Sequence, residues 1–267
     1  MVRVVIIGAA GRMGAALIRC ASRLECVALH GAVDNSECGR IGEDAGIASG
    51  IEEAGVPITD DLAAACNGAD VTIDFTFHTA VPGSIRTAAQ HGVAGVIGTT
   101  GLTEDETAVV HEAAAKVPIV WAPNMSLGVN LLFAMTRKAA SLLDESYDIE
   151  ICETHHRHKK DAPSGTALRL AEKAAAGRNV DLDRVAIYGR HGDTGERPAG
   201  EIAIHSLRSG DVVGDHVVSF ATEGERIELV HRASSRDTFA NGALHAAQWV
   251  GAQTPGLYDM QDILGLS

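Results

Sequence analysis

Hydrophobic and polar positions recur with two different periods along this chain, and the change of period divides it. Up to Trp121, short, largely apolar runs at residues 2–7 (broken only by Arg3), 27–33, 71–75, 93–97 and 118–121 stand between amphipathic stretches. A strand buried on both faces of a parallel sheet has this character. The intervening stretches predict helices at 15–22, 60–66, 79–90 and 103–116, the last opened by a capping box of Thr103 and Glu106. Strand and helix in repeated alternation mean a right-handed, doubly wound parallel sheet of α/β class. Residues 39–55, rich in Gly, Glu and Ala, read as a surface connection.

After a helix predicted at 127–143 the period falls to two. In 148–154, Ile149 and Ile151 alternate with polar neighbours, as in a half-buried strand. A loop follows, then a helix at 165–176 capped by Ser164 and ended by Gly177. Strands are expected at 185–188, 202–207, 212–222 and 226–232, with a long Gly-rich loop at 190–200. These form a second α+β domain on a mixed, largely antiparallel, meandering sheet. Its helices are too few to cover both faces, so the open face is expected to join copies of the chain. A helix at 237–250 and the segment 255–266 return to the first domain. The division is then residues 1–126, completed by 236–267, for a dinucleotide, and 127–235 for substrate and oligomerisation.

Composition narrows the function. Hydrophobic content of 46% and charged content of 21% are those of a soluble globular protein, with aromatics at only 4%. A net charge of −13 argues against nucleic acid and anionic membranes as partners. The five cysteines form no C-x-x-C pair and read as reduced thiols of a cytoplasmic protein. Neither a signal peptide nor a membrane span is expected.

Against that acidic background, His155, His156, Arg157, His158, Lys159 and Lys160 stand in one row, between a strand and the Ser164-capped helix. Like charges so crowded need an anion. The helix N-terminus offers partial positive charge, Gly165 allows close approach to its backbone, and Thr166 adds a hydroxyl. A small, multiply charged acid fits. A zinc site does not, since the spacing is not H-E-x-x-H and an arginine interrupts the histidines; no metal is expected.

The first strand runs into Gly8, Ala9, Ala10, Gly11, Arg12, Met13 and Gly14, a G-x-x-G-x-x-G loop leading into a helix. Asp34 ends the second strand, 20 residues beyond Gly14. This is the arrangement of a dinucleotide site, with pyrophosphate at the glycines and the acid at the adenosine ribose. Asp34 favours NADH, because a carboxylate repels a 2′-phosphate; Arg12 could reach such a phosphate, and Asn35 is uncharged. Two further turns, Gly98-Thr99-Thr100-Gly101 and Ala122-Pro123-Asn124-Met125-Ser126, follow strand ends and belong beside the nicotinamide half, with Thr100 and Asn124 as donors to its carboxamide.

Four stretches carry a resemblance: G-A-A-G-R-M-G at Gly8, G-T-T-G at Gly98, E-T-H-H-R-H-K-K-D-A-P-S-G-T at Glu153 and H-R-A-S-S-R at His231. With them the chain resembles the bacterial dihydrodipicolinate reductases, also called 4-hydroxy-tetrahydrodipicolinate reductases. The resemblance implies NAD(P)H-dependent reduction of a small cyclic dicarboxylate in diaminopimelate and lysine biosynthesis, by a homotetramer built on the second-domain sheet. It implies His155 as acid/base and Lys159 as proton donor, with His156, Gly165 and Thr166 on the substrate carboxylates. The cofactor would lie on Gly8, Ala9, Ala10, Gly11, Arg12, Met13, Asp34, Gly98, Thr99, Thr100, Ala122, Pro123, Asn124 and Met125. Many members follow the acid with arginine; Asn35 here tilts the reading to NADH. Two alternatives stay open. One is another two-domain amino-acid-pathway dehydrogenase with a cysteine nucleophile, for which Cys152 stands nearest the loop. The other is a non-catalytic NAD(P)-sensing protein.

Overall fold

The computed structural model describes residues 1–266. The chain forms two compact units, Met1–Leu127 with the chain from Asp237 onward, and Gly128–Arg236. Its elements in order are β1 (Val2–Ile7), α1 (Arg12–Ala21), β2 (Val27–Val33), α2 (Ala45–Ala48), β3 (Ile58–Thr59), α3 (Leu62–Cys66), β4 (Val71–Asp74), α4 (Val81–Gln90), β5 (Ala94–Ile97), α5 (Glu104–Ala114) and β6 (Pro118–Trp121). There follow α6 (Leu127–Leu142), β7 (Asp148–His155), α7 (Gly165–Arg178), α8 (Leu182–Val185), β8 (Ala186–Ile187), β9 (Ile202–Arg208), β10 (Gly214–Thr222) and β11 (Glu225–Ala233). The chain then returns to the first unit with α9 (Asp237–Val250), β12 (Gly256–Tyr258) and α10 (Met260–Ile263).

The first unit holds a seven-stranded parallel sheet in the order β12-β6-β5-β4-β1-β2-β3. Val4, Ile6, Val71, Ile73, Val96 and Val120 have no solvent exposure, which is why the runs are so largely apolar. Helix α9 joins this core through Ala240, Ala243, Leu244 and Ala247. Small residues bring it close. A side chain at Gly242 would put Cβ 1.7 Å from the carbonyl oxygen of Met125. The 39–55 stretch is more ordered than a plain surface connection. Asp44 caps α2, and its carboxylate accepts from the N–H groups of Gly46, Ile47, Ala54 and Val56. The Ala54 bond leads in holding that carboxyl below its usual range.

The second unit holds a five-stranded sheet in the order β11-β10-β7-β9-β8. It is mixed: β10 runs antiparallel to β11 and β7, while β7–β9 and β8–β9 are parallel. The meander expected between 202–207 and 212–222 is corrected, because β7 lies between β9 and β10. A strand buried on the face of Ile149, Ile151 and Glu153 takes the centre, with ladder partners on both sides. Helices α6 and α7 cover this face, packing Phe133, Leu170 and Ala174 on Ile149, Ile151 and Phe220. Gly177 does not end α7. The helix continues to Arg178 and ends on Asn179 in the left-handed conformation. Gly177 is where α6 crosses: its Cβ would lie 2.4 Å from the Arg137 carbonyl oxygen. The strand expected at 185–188 shrinks to Ala186–Ile187 behind the short helix α8. On the opposite face of the sheet, Val217 and Cys152 are half-buried and Val230 and Leu207 are each 46% exposed. Among the described residues, no helix is long and apolar enough to cross a membrane.

Candidate functional site

In the first unit the glycine loop turns β1 into α1. Gly8 takes φ +76°, and a Cβ on Gly14 would meet the Gly8 oxygen at 2.2 Å, so helix and strand touch through bare backbone. Inside the loop, Gly8 and Ala9 donate to the Val33 carbonyl and Gly11 to that of Gly8. No side chain caps the first turn of α1. That end is a site for an anion, by its unpaired N–H groups and its dipole. Asp34 is tied to the same loop, with one carboxylate oxygen accepting from Ala10 N–H at 2.9 Å and the other from Asn35 N–H at 2.9 Å.

Beside them lies a cleft of about 950 Å³, lined among others by Gly8, Gly11, Asp34, Asn35, Glu37 and Phe77. An uncapped helix start, a carboxylate at the end of the second strand and exposed Phe77 suit a dinucleotide in size and chemistry. The charged residues lining the cleft, Asp34 and Glu37, are both acids. Arg12 is exposed outside the lining, and Met13 packs against the core.

The two further turns are largely stitched into the protein. Gly98 makes room for the Phe75 ring, which a Cβ there would overlap at 2.2 Å. The Thr99 hydroxyl donates to the Thr76 carbonyl at 3.1 Å, and its own carbonyl accepts from the Trp121 indole. Asn124 turns its oxygen to Ser126 N–H at 2.9 Å. Ala122 and Met125 are buried, whereas Thr100 and Pro123 are exposed. Sequence reasoning missed Asp74. This aspartate is 3% exposed at the end of β4 and accepts from Thr76 N–H at 2.8 Å and from the Ser84 hydroxyl, so it shapes the turn that lines the cleft. Its signal was an acid closing an apolar run.

In the second unit, β7 delivers the cationic row. Arg157, His158 and Lys160 are exposed, while His155, His156 and Lys159 are half-buried. His155 Nδ1 meets Glu153 Oε2 at 2.5 Å, and Glu153 has no solvent exposure. Arg208 bonds both oxygens of Glu153, at 3.1 and 3.0 Å, and Ser164 N–H donates to Oε1 at 3.2 Å. Burial would push the Glu153 carboxyl up; the bonds from His155, Ser206 and Arg208 outweigh it and hold it below the usual carboxylate range. Ser164 caps α7 by accepting from Ala167 N–H, and its hydroxyl meets His216 Nε2 at 3.3 Å. His216 is 3% exposed; burial, helped by the charge of His155, pushes it down to about 4.

Lys159 Nζ lies 2.9 Å from Asp161 and is 20% exposed. That bond is the main reason the Asp161 carboxyl sits low. His156 is also shifted down, by burial first and then by the charges of Arg236, His158, His155 and Lys159. At Gly165, the first residue of α7, nothing lies within 4 Å of where a Cβ would be. The protein leaves that place open, as a ligand on the helix start requires. Sequence reasoning missed Glu153, Asp161, Arg208 and His216 as partners of the row. Glu153 was legible: it shares the side of β7 with Ile149 and Ile151 and breaks their apolar pattern. Cys152 points to the other face. Burial, followed by the Glu153 charge, pushes its thiol up, the reverse of an activated nucleophile. Among the described residues, no group of three or more His, Cys, Asp or Glu side chains is placed to hold a metal ion.

Comparison with known proteins agrees along the whole chain. Residues 2–125 match the family described as dihydrodipicolinate reductase, N-terminus, and residues 128–264 the family described as its C-terminus. The 4-hydroxy-tetrahydrodipicolinate reductase of Anaeromyxobacter dehalogenans strain 2CP-1 is 52% identical over 266 residues, covering 100% of this chain and 98% of its own. That of Thiobacillus denitrificans is 51% identical over 265 residues, covering 99% of each. Among solved structures, the dipicolinate-bound dihydrodipicolinate reductase from Paenisporosarcina sp. TG-14 superposes with a TM-score of 0.79 at 26% identity, over 98% of both chains.

Proposed function

The chain belongs to the dihydrodipicolinate reductase family, and on that premise we infer that it reduces 4-hydroxy-tetrahydrodipicolinate to tetrahydrodipicolinate with NAD(P)H. A pyridine nucleotide, when bound, supplies the hydride. What this chain supplies is binding, charge and a proton. The uncapped start of α1 holds the pyrophosphate, and Asp34 takes the adenosine ribose. The turns at Gly98, Thr99 and Thr100 and at Ala122, Pro123, Asn124 and Met125 border the nicotinamide half, chiefly through backbone. Asp34 and Glu37 in the cleft, with uncharged Asn35, disfavour a 2′-phosphate, so the preferred cofactor is NADH.

The dicarboxylate sits on the N-terminus of α7, with one carboxylate at Gly165 and Thr166 and the other toward His156. Reduction of a conjugated imine, after loss of water from the hydroxylated ring, leaves electron density that a proton must quench at a neighbouring carbon. His155 and Lys159 are the acids in place. The observation that carries this reading is the cationic row in a chain of net charge −13, held at an open helix start by a buried carboxylate. The dicarboxylate of the Paenisporosarcina complex supports it.

The open face of the second sheet, with Val217, Val230 and Leu207, is the contact between copies in a homotetramer. Five unpaired thiols and the use of a reduced nicotinamide support a cytoplasmic location.

The deciding experiment is a coupled assay with enzymatically generated substrate. NADH should be oxidised on addition of the dicarboxylate, with kcat/KM at least about tenfold above that for NADPH, the equivalent of 1.4 kcal/mol. No oxidation with either nucleotide would overturn the reductase reading. Equal values would overturn only the cofactor preference.

A further inference from the structure

Glu153 is an expensive residue for the fold. A carboxylate without solvent exposure, on the same side of β7 as Ile149 and Ile151, loses its hydration, at a cost of several kcal/mol unless donors replace it. The donors come from three places in the second unit: His155 at the end of its own strand, Ser206 and Arg208 from β9, and Ser164 N–H from the start of α7. An apolar residue would pack on α7 at lower cost, so the carboxylate is there for what it does to its neighbours. Its bond to His155 is 2.5 Å long.

That bond decides the state of the imidazole. An ionised carboxylate only accepts hydrogen bonds, so Nδ1 of His155 carries the hydrogen and Nε2 is the nitrogen left for chemistry. The surroundings of Nε2 agree. A Cβ at position 214 would stand 3.0 Å from it, and that position is glycine. The opposing ring, His216 on β10, stands edge-on at 5.2 Å and 77°. Burial keeps His216 neutral above about pH 4, so it adds no competing charge at the pH of catalysis. The bonds from His155, Ser206 and Arg208 hold the Glu153 carboxyl low, and Lys159, His156 and His158 in the loop, Cys152 on β7, His231 on β11 and Arg236 are further titratable groups in this part of the second unit.

We propose that Glu153 is the positioning residue of the reaction: it locks His155 with Nδ1 protonated and leaves Nε2, beside Gly214, for the proton transfer. This rests on the reading of His155 as acid/base. No further reagent is involved, since the proton lost from Nε2 is regained from water between turnovers. The arrangement follows the general rule that a histidine in acid–base work is oriented by a third group on its other nitrogen.

The test uses the full-length protein. In wild type labelled with ¹⁵N-histidine, with His155 assigned by its loss in His155→Asn, the neutral ring should be the Nδ1–H tautomer. Glu153→Gln should lower kcat roughly tenfold or more with little change in KM for the dicarboxylate. In Glu153→Gln the neutral His155 ring should no longer be held as the Nδ1–H tautomer. Glu153→Asp, which keeps the charge, should restore part of both.

A merely structural Glu153 would lower stability while leaving the tautomer in place, and that result overturns the proposal. A changed tautomer in Glu153→Gln with kcat intact in both it and His155→Asn would instead overturn the reading of His155. If Glu153→Gln does not fold, the wild-type tautomer and Gly214→Ala still decide. An Nε2–H tautomer in wild type, or unaltered kcat in a folded Gly214→Ala, sinks the proposal.

Discussion

Lys159 and His155 are held by different kinds of partner, and the difference separates their roles. His155 is anchored to a buried carboxylate, whereas Lys159 reaches Asp161, which is 63% exposed. An exposed partner is exchanged for a substrate anion at little cost, because surface ion pairs contribute about 0–1 kcal/mol. Lys159→Ala should therefore lower turnover by roughly 10²-fold or more, the scale of a lost general acid, with NADH affinity unchanged in a binding titration. Equal loss of NADH binding would remove Lys159 from the substrate chemistry. Asp34 tests the other unit. It both faces the cleft and anchors Ala10 N–H, so Asp34→Ala should weaken NADH by roughly 10- to 100-fold, the value of hydrogen bonds to a charged group, and NADPH less. Parallel losses for the two nucleotides would mean that Asp34 serves the loop alone.

At the scale of elements, glycines mark where helices meet something else, and what they meet differs. Gly242 on α9 abuts the Met125 carbonyl, which leaves no room for a methyl group. Gly242→Ala should cost about 1–3 kcal/mol, read as a lowered urea midpoint. Gly165 on α7 abuts nothing in the protein. Gly165→Ala should fold with an unchanged or slightly higher midpoint, since alanine is the better helix residue, yet raise KM for the dicarboxylate. Unaltered KM there would mean that the substrate does not use the start of α7. From position in the sequence Gly165 reads as a ligand approach and Gly177 as a helix stop, and the second reading fails because α7 runs on to Arg178. Only the crossing of α6 shows why α7 carries a glycine inside it.

For the whole molecule, buried histidines set the response to acid. His216 is lowered from 6.5 to about 4 in the folded protein. A histidine depressed in the native state takes up its proton first in the unfolded chain. Its contribution is complete above about pH 6.5 and is lost as pH falls toward about 4. His156 and His231, also depressed by burial, act in the same direction. Glu153 and Glu150, held low by their partners, add a further loss only when pH falls through the carboxylate range. Between pH 7 and 5, His216 alone should remove about 2 kcal/mol, at 1.36 kcal/mol per unit. Urea midpoints that coincide at the two pH values would refute this. Assembly is a second property at this scale. On the proposed homotetramer, light scattering should give four times the 27.8 kDa chain for the wild type and smaller species for Val230→Glu on the open face of the second sheet, while a tetramer that survives would move the contact elsewhere.

Local pattern was enough for much of this. The continuous apolar runs mark parallel strands, because a strand covered on both faces has no polar side to show. The glycine loop, Asp34 and the cationic row were legible because each departs from its surroundings within a few residues. Tertiary structure alone decided which groups answer those residues. Arg208 lies 55 positions from Glu153, and His216 lies 52 from Ser164. It also put β7 between β9 and β10, where pairing pattern suggested neighbours. Periodicity reports which face of a strand is buried, through contacts a residue or two away. The partner across the sheet is set by global packing, and no local signal carries it.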